Sequence, residues 1–174
     1  MLPTEANNPD APVTLSERFF IYSTTYQWFA TRYETVAIHI NKRVPDHYCY
    51  MTLIEQVPGT NKIRFALDDG TVVVRHSQNG NLHSGGYGAT GPDSYFELIP
   101  RADGTFYMKA GDGLYVSVYD AHYSGGFILR SSKREPDIHC ILEIRIAPNP
   151  ASIDDIKKVS NENEAEVARA QVEA

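Results

Sequence analysis

Two stretches of this 174-residue chain combine hydrogen-bonding side chains, aromatic rings and glycines. Residues 75–87 read RHSQNGNLHSGGY, and residues 118–127 repeat the blend as VYDAHYSGGF. A sugar has hydroxyl groups that both donate and accept hydrogen bonds, on a ring with apolar C–H faces. Its site needs Asp, Asn, His or Arg for the hydroxyls, an aromatic ring for the apolar face and glycine for close approach. The candidate carbohydrate-binding residues are Arg75, His76, Asn81, His83, Gly86, Tyr87, Tyr119, Asp120, His122, Gly126 and Arg130.

Catalytic and metal chemistry have less support in the sequence. The six histidines show no HxH or HxxxH spacing, the two cysteines form no CxxC pair, and no serine lies in a Gly-x-Ser-x-Gly string. Residues 86–91, GYGATG, match the dinucleotide fingerprint, but Pro92 follows where a helix must begin. We therefore expect no enzyme activity, no catalytic residue, no metal and no cofactor.

A threefold repeat supplies the elements that position these loops. Pro45–Asp46, Pro92–Asp93 and Pro136–Asp137 each precede an alternating apolar run typical of a strand. Proline disfavours helix in the residue before it, and aspartate hydrogen-bonds its own backbone, so each pair indicates the end of a loop. Between them, Asp69–Gly70 and Asp112–Gly113 predict tight turns, because glycine adopts positive φ easily.

Residues 18–150 are therefore interpreted as three units of roughly 40–47 residues, each with four short strands and with no helix between the units. Three units are too few for a propeller, and a parallel sheet would need crossover helices. We predict an all-β fold, the pseudo-threefold β-trefoil, in which six strands close a barrel and six form hairpins that cover one end. The strand near Arg18–Tyr22 is expected to complete the last repeat.

The repeat also predicts equivalent core positions, because bulky residues from each unit fill a small barrel. Cys49 and Cys140 share one offset from their Pro-Asp pairs, so both are predicted to be buried, inert thiols. A disulfide between them stays open. The predicted core sets are Phe20, Phe65 and Phe106; Phe29, Val73 and Val116; and Leu53, Leu98 and Ile144.

The two ends of the chain lie outside this scheme. Residues 1–17, with three acids and no base, are predicted to be a flexible N-terminal arm. Residues 151–174 carry six acids and three bases and are predicted to be an acidic tail, where Ser152 and Asp155 favour a short helix. The net charge of −6 therefore belongs to the ends, and residues 18–150 are neutral.

The neutral body offers no basic surface for nucleic acid. No apolar run approaches the roughly 20 residues of a membrane helix. The N-terminus shows no basic region followed by an apolar stretch, as a secretory signal would. We expect a cytoplasmic protein, or one released without a signal peptide, that does not insert into membranes.

Two strings point to a known family. Asp93–Ile99, DSYFELI, and Tyr48 with Met51–Ile54 resemble the Asp-x-Tyr-Phe-x-Leu-Ile signature of fungal β-trefoil lectins. Residues 18–146 are similar to the lectin module of fungal haemolytic, aerolysin-like lectins. The resemblance implies binding of galactose-type glycans or glycoproteins beside the second and third strands of a repeat, and leaves a homodimer open. The pore-forming module of haemolytic relatives is not expected, and the Gln-x-Trp repeat of ricin-type lectins is missing.

Two other functions stay open on the same fold. The first is a β-trefoil protease inhibitor that presents a surface loop, Tyr87–Ser94 or Val57–Lys62, to an enzyme's cleft. The second is a fascin-like intracellular module that binds other proteins.

Overall fold

A computed structural model of the chain describes residues 12–32, 37–121 and 126–147. These ranges contain twelve β-strands in three groups of four, together with three 3-10 helices of one turn. The first repeat has β1 (Arg18–Ser23), β2 (Trp28–Thr31), β3 (His39–Lys42) and β4 (Met51–Gln56). The second has β5 (Lys62–Ala66), β6 (Val73–Arg75), β7 (Leu82–Ser84) and β8 (Phe96–Pro100). The third has β9 (Phe106–Lys109), β10 (Tyr115–Asp120), β11 (Phe127–Lys133) and β12 (Leu142–Ile146).

The first and fourth strands of each repeat form a closed barrel. Antiparallel pairs run in a ring from β1 to β4, β5, β8, β9 and β12, and β12 pairs with β1. The last repeat therefore has its own closing strand, β12. The prediction that Arg18–Tyr22 would complete the last repeat is wrong, because β1 belongs to the first repeat and meets β12 as a neighbour.

The second and third strands of each repeat form hairpins: β2–β3, β6–β7 and β10–β11. The hairpins meet through main-chain hydrogen bonds. The amide of Ile38 donates to the carbonyl of Leu82 at 2.8 Å, and the amide of Leu129 donates to the carbonyl of Ile38 at 3.0 Å. All three residues are buried, one from each repeat, and they mark the pseudo-threefold axis.

The strand register corrects two of the predicted core sets. Phe19 pairs with Met51, Ile63 with Phe96, and Phe106 with Leu142, so the equivalent residues of β1, β5 and β9 are Phe19, Ile63 and Phe106. A shift of one residue reverses the face of a strand. Grouping Phe20 with Phe65 and Phe106 was therefore wrong.

Phe20 and Phe29 lie together in a separate, smaller cluster. The prediction that Phe29 is equivalent to Val73 and Val116 is therefore wrong, because Ala30 is the residue of β2 that lies with them in the main core. The third predicted set keeps its common register. Leu98 and Ile144 are buried in the main core, and Leu53 packs against it.

Each Pro-Asp pair precedes a strand, as predicted, and a 3-10 helix lies at each of these sites: it follows the pair in the first and third repeats and contains Pro92 and Asp93 in the second. Asp46 and Asp137 cap two of these helices: their carboxylates accept hydrogen bonds from the amides of Tyr48 at 3.0 Å and His139 at 2.9 Å. Both helices end on a buried, free cysteine, Cys49 and Cys140. Burial raises the pKa of Cys49 to about 12 and also raises the pKa of Cys140, so both thiols stay protonated at neutral pH.

Part of the predicted N-terminal arm lies against the barrel. The amide of Val13 donates to Oδ1 of Asn61 at 2.7 Å, and Nε2 of Gln56 donates to the carbonyl of Val13 at 2.8 Å. Val13 and Leu15 pack against the core, and the amide of Leu53 donates to the carbonyl of Glu17 at 2.8 Å. Residues 1–11 and the predicted tail, 151–174, lie outside the described residues.

Candidate functional site

Three of the predicted residues come together where the second and third repeats meet: Asn81, Tyr119 and Arg130. We call them the junction site. Asn81 and Arg130 form an isolated β-bridge, and Nε of Arg130 donates to Oδ1 of Asn81 at 2.6 Å. The guanidinium carbon of Arg130 lies 3.7 Å from the centre of the Tyr119 ring. Tyr119 is 40% exposed. Asp120 is also exposed at the end of β10, but it follows Tyr119 in the strand and lies on the opposite face.

Two partners hold the guanidinium of Arg130 in place: the ring of Tyr119 and the side chain of Asn81. Stacking of a guanidinium on an aromatic ring stabilises the pair by about 0.5–2 kcal/mol. The hydrogen bond to Asn81 uses one of the five N–H donors of Arg130. A planar guanidinium presents its donors as a fork, so Arg130 suits a ligand that offers two adjacent oxygens. The exposed part of the Tyr119 ring adds an apolar surface next to these donors.

Arg75, in contrast, links two repeats. Its Nε lies 3.4 Å from a carboxylate oxygen of Asp93 and 3.4 Å from one of Asp112, and its side chain is only 15% exposed. The hydroxyl of Ser131 donates to Asp112 at 2.8 Å and extends the network to β11. The sequence predicts Arg75 to be a ligand donor. Its two carboxylate partners lie 18 and 37 positions further along the chain, so no local pattern indicates that Arg75 is paired with them.

His76 and His83 face each other across the β6–β7 hairpin, with ring centres 5.3 Å apart. The amide of Gln78 donates to Nδ1 of His76 at 3.2 Å, and Nδ1 of His83 is 2.8 Å from the carbonyl of Ser84. Partial burial lowers the pKa of His83, and the nearby His76 lowers it further, while the hydrogen bond to Ser84 opposes both effects. His76 is tied to the junction site through its amide, which donates to the carbonyl of Asn81 at 2.8 Å.

The other predicted residues lie in loops. Gly86 and Tyr87 follow β7, and Tyr87 is 79% exposed beside the turn at Gly70. The carbonyl of Gly126 accepts a hydrogen bond from the amide of Ala121 at 3.1 Å, at the start of β11. His122 lies outside the described residues.

Comparison with known proteins gives the fold. No protein-family model matches the chain, and no curated protein matches it. The designed threefold-symmetric protein ThreeFoil superposes with a TM-score of 0.63 at 11% identity, over 76% of this chain and 100% of that one. The β-trefoil BEL, in an apo crystal form, gives a TM-score of 0.63 at 13% identity, over 80% of this chain and 99% of that one. The fold is a β-trefoil.

A Caenorhabditis elegans protein with unknown function gives the same TM-score of 0.63 at 11% identity, over 79% of this chain and 97% of that one. The trefoil neighbours confirm the all-β, pseudo-threefold architecture predicted from the repeat. At 11–13% identity the likeness concerns the fold alone.

Two surface grooves lie elsewhere on the trefoil. The larger, of about 630 Å³, runs between β5, β8 and the turn after β9 and includes Tyr95, Glu97 and Lys109. The smaller, of about 310 Å³, is lined by Pro12, the turn at Gly59 and part of β8. Neither groove contains one of the predicted sugar-binding residues.

Among residues 12–32, 37–121 and 126–147, no group of three or more His, Cys, Asp or Glu side chains could hold a metal ion. In the same part of the trefoil, no helix is long and apolar enough to cross a membrane.

Proposed function

We propose that this trefoil is a non-catalytic carbohydrate-binding protein that recognises galactose-type glycans on glycoproteins. The observation that carries the proposal is the junction site: a tyrosine ring that is 40% exposed, an arginine fixed on that ring at 3.7 Å, and an asparagine that accepts a hydrogen bond from the arginine at 2.6 Å. The galactose class rests on the resemblance of Asp93–Ile99 to the signature of fungal β-trefoil lectins.

The chemistry of the junction site suits a neutral sugar. Arg130 and the amide nitrogen of Asn81 can donate to hydroxyl oxygens, and the phenol of Tyr119 can donate and accept. The exposed part of the Tyr119 ring can pack against the C–H face of a pyranose. Because Arg130 is already held by Asn81 and Tyr119, little side-chain entropy is lost when a ligand binds.

A binding role without catalysis also agrees with the state of the thiols. Cys49 and Cys140 are buried, and their raised pKa values keep them protonated, so neither is an activated nucleophile.

A glycan array with the full chain tests the proposal. We expect saturable binding to galactose-terminated glycans, and at least a tenfold loss of affinity in Tyr119→Ala. Tyr107→Ala is the matched control, because Tyr107 also carries an arginine, Arg101, at 5.1 Å from its ring, but on β9. Binding that survives Tyr119→Ala unchanged, or an array on which no glycan binds, would contradict the proposal.

A second candidate, protease inhibition through a surface loop, is favoured by the exposure of Tyr87. This residue is 79% exposed between Gly86 and Gly88, in the loop that leads to β8. A protruding side chain on a short loop can enter an enzyme's cleft. An inhibitor would slow a papain-type or pepsin-type protease at near-equimolar ratio and lose this effect in Tyr87→Gly, whereas a lectin would do neither.

A further inference from the structure

The three junctions between consecutive repeats are built in two different ways. At two of them, an arginine at the end of the second strand reaches carboxylates in the first turn of the next repeat. Nε of Arg32 lies 2.6 Å from Asp68 and 3.8 Å from Asp69, and Nε of Arg75 lies 3.4 Å from Asp112. At the third junction, where the last repeat meets the first, Val118 takes the place of the arginine.

The turn at this third junction also differs from its two equivalents. The amides of Gly70 and Gly113 donate to carbonyls three residues back, whereas the amide of Gln27 donates to the carbonyl of Ser23, four residues back. Gln27 has φ of +59°, and its counterparts, at +85° and +80°, are both glycine. A left-handed conformation costs a residue with a side chain about 1 kcal/mol. The first repeat therefore keeps an exposed amide side chain here at a cost in stability.

Four aromatic side chains surround this turn: Tyr26, Trp28, Phe127 and His139. We call them the aromatic cluster. Tyr26 and Trp28 are nearly parallel, with ring centres 5.8 Å apart, and Phe127 lies 4.9 Å from Tyr26 and 5.4 Å from Trp28. The hydroxyl of Tyr26 is 3.0 Å from Nδ1 of His139. All four residues are partly buried, with Tyr26, Trp28 and Phe127 packed against the main core, and Ile138 beside them is 59% exposed.

We infer that the aromatic cluster is a second sugar-binding site of the trefoil, one that takes a neutral pyranose with an apolar face, as β-galactosides have. The inference rests on the proposed function for its class of ligand. The exposed edges of these partly buried rings offer a C–H-binding surface at the one described junction where Val118 replaces the inter-repeat arginine.

The polar groups at the rim of the cluster also favour a sugar. The amide of Gln27, the phenol of Tyr26 and the imidazole of His139 can each donate and accept hydrogen bonds, as sugar hydroxyls do. The hydroxyl of Thr25 donates to the carbonyl of Ile138 at 2.6 Å and fixes the turn against the helix that carries His139. The cluster is therefore held in place before a ligand binds.

The only tryptophan of the chain, Trp28, reports on this site alone. We would titrate lactose into the full chain and follow Trp28 emission, with calorimetry in parallel and maltose as the control sugar. Lactose is expected to change Trp28 emission saturably, and the change is expected to persist in Tyr119→Ala, which removes the junction site. Maltose is expected to leave the emission unchanged.

Two variants test the assignment within the cluster. Tyr26→Leu removes the central ring and is expected to weaken the Trp28-reported affinity for lactose about tenfold. Gln27→Gly relieves the left-handed strain, so the variant is expected to fold at least as stably as the parent. Its affinity for lactose is expected to be several-fold weaker. Unchanged lactose affinity in both variants would overturn the inference.

The outcomes separate this inference from the proposed function. One outcome is that calorimetry detects lactose binding, that Tyr119→Ala abolishes the heat of binding, and that Trp28 emission does not change. In that case the proposed function stands and the second site is wrong. If neither calorimetry nor the glycan array detects any sugar, both are wrong. If the Trp28 response persists in Tyr119→Ala and weakens in Tyr26→Leu, the second site is supported whatever the junction site contributes.

Discussion

Two arginines near the contact between the second and third repeats, Arg75 and Arg130, have different roles because their partners differ. Arg130 contacts an amide and an aromatic ring, so its positive charge is not neutralised by these two partners and can act on a ligand. Arg75 lies between the carboxylates of Asp93 and Asp112 with a side chain 15% exposed, so its charge is used in joining repeats. Residue type alone therefore does not assign a ligand donor.

His83 gives the trefoil a predictable dependence on pH. Partial burial, with the nearby His76, holds its pKa below the ordinary value of 6.5. In the unfolded chain the ring takes up a proton near 6.5, so between that value and the lowered pKa the unfolded state binds more protons. The stability that the neutral ring contributes is present above pH 6.5 and is lost as the pH falls through the lowered pKa.

We therefore expect His83→Asn to reduce the loss of stability between about pH 7 and pH 5, measured as the urea midpoint. His47→Gln, on a different repeat, is the control and is expected to keep the parent's loss. An identical loss in the parent and in His83→Asn would contradict the prediction.

Local elements were predictable from the sequence because their signals are local. Alternating apolar runs, Pro-Asp pairs and Asp-Gly turns place the strands that the structure contains. Register was less accessible: Phe19 and Phe20 are adjacent phenylalanines, and only the pairing of Phe19 with Met51 reveals which one enters the barrel.

The sequence predicts which residues belong to the junction site but not how they contact one another. Tyr119 and Arg130 come from one hairpin and Asn81 from another, and no local pattern in the sequence indicates a contact between hairpins. The aromatic cluster could not be predicted for the same reason, since its members come from β2, β11, the turn before β2 and the 3-10 helix before β12.

The hairpin β6–β7 depends on a close backbone approach at its turn. The amide of Ser131 donates to the carbonyl of Gly80 at 2.8 Å, and a Cβ atom at Gly80 would lie 2.5 Å from the carbonyl oxygen of Ser131. Backbone atoms cannot move aside as a flexible side chain can. A side chain here would push the second repeat away from β11 and from Arg130.

We expect Gly80→Ala to destabilise the protein by roughly 3 kcal/mol or more. Gly59→Ala is the matched control: Gly59 has φ of +75° against +79° for Gly80, but a Cβ atom there meets nothing within 4 Å. The control is expected to lose only about 1 kcal/mol from its left-handed conformation. Urea denaturation measures both values, and equal losses would show that the steric contact with Ser131 does not matter.

At the scale of the whole molecule, the barrel is closed by the first and last strands. Phe19 lies opposite Ile146, and Ser23 lies opposite Leu142. The segment before β1 also holds the barrel together. Val13 and Leu15 pack against the core, and Val13 is hydrogen-bonded to Asn61 and Gln56. Both features join distant parts of the chain, so they contribute to stability only when the barrel is complete.

Two shortened chains measure what the segment before β1 contributes to stability. One begins at residue 18 and the other at residue 12. The shorter chain loses the burial of Val13 and Leu15 and leaves the side chains of Asn61 and Gln56 without their contacts to Val13. We expect it to be less stable by about 2–4 kcal/mol, from lost apolar burial and lost hydrogen bonds. Urea denaturation followed by Trp28 emission measures the difference, with Val13→Ala in the full chain expected to fall between the two. Equal stability of the two shortened chains would mean that residues 12–17 contribute nothing to barrel closure.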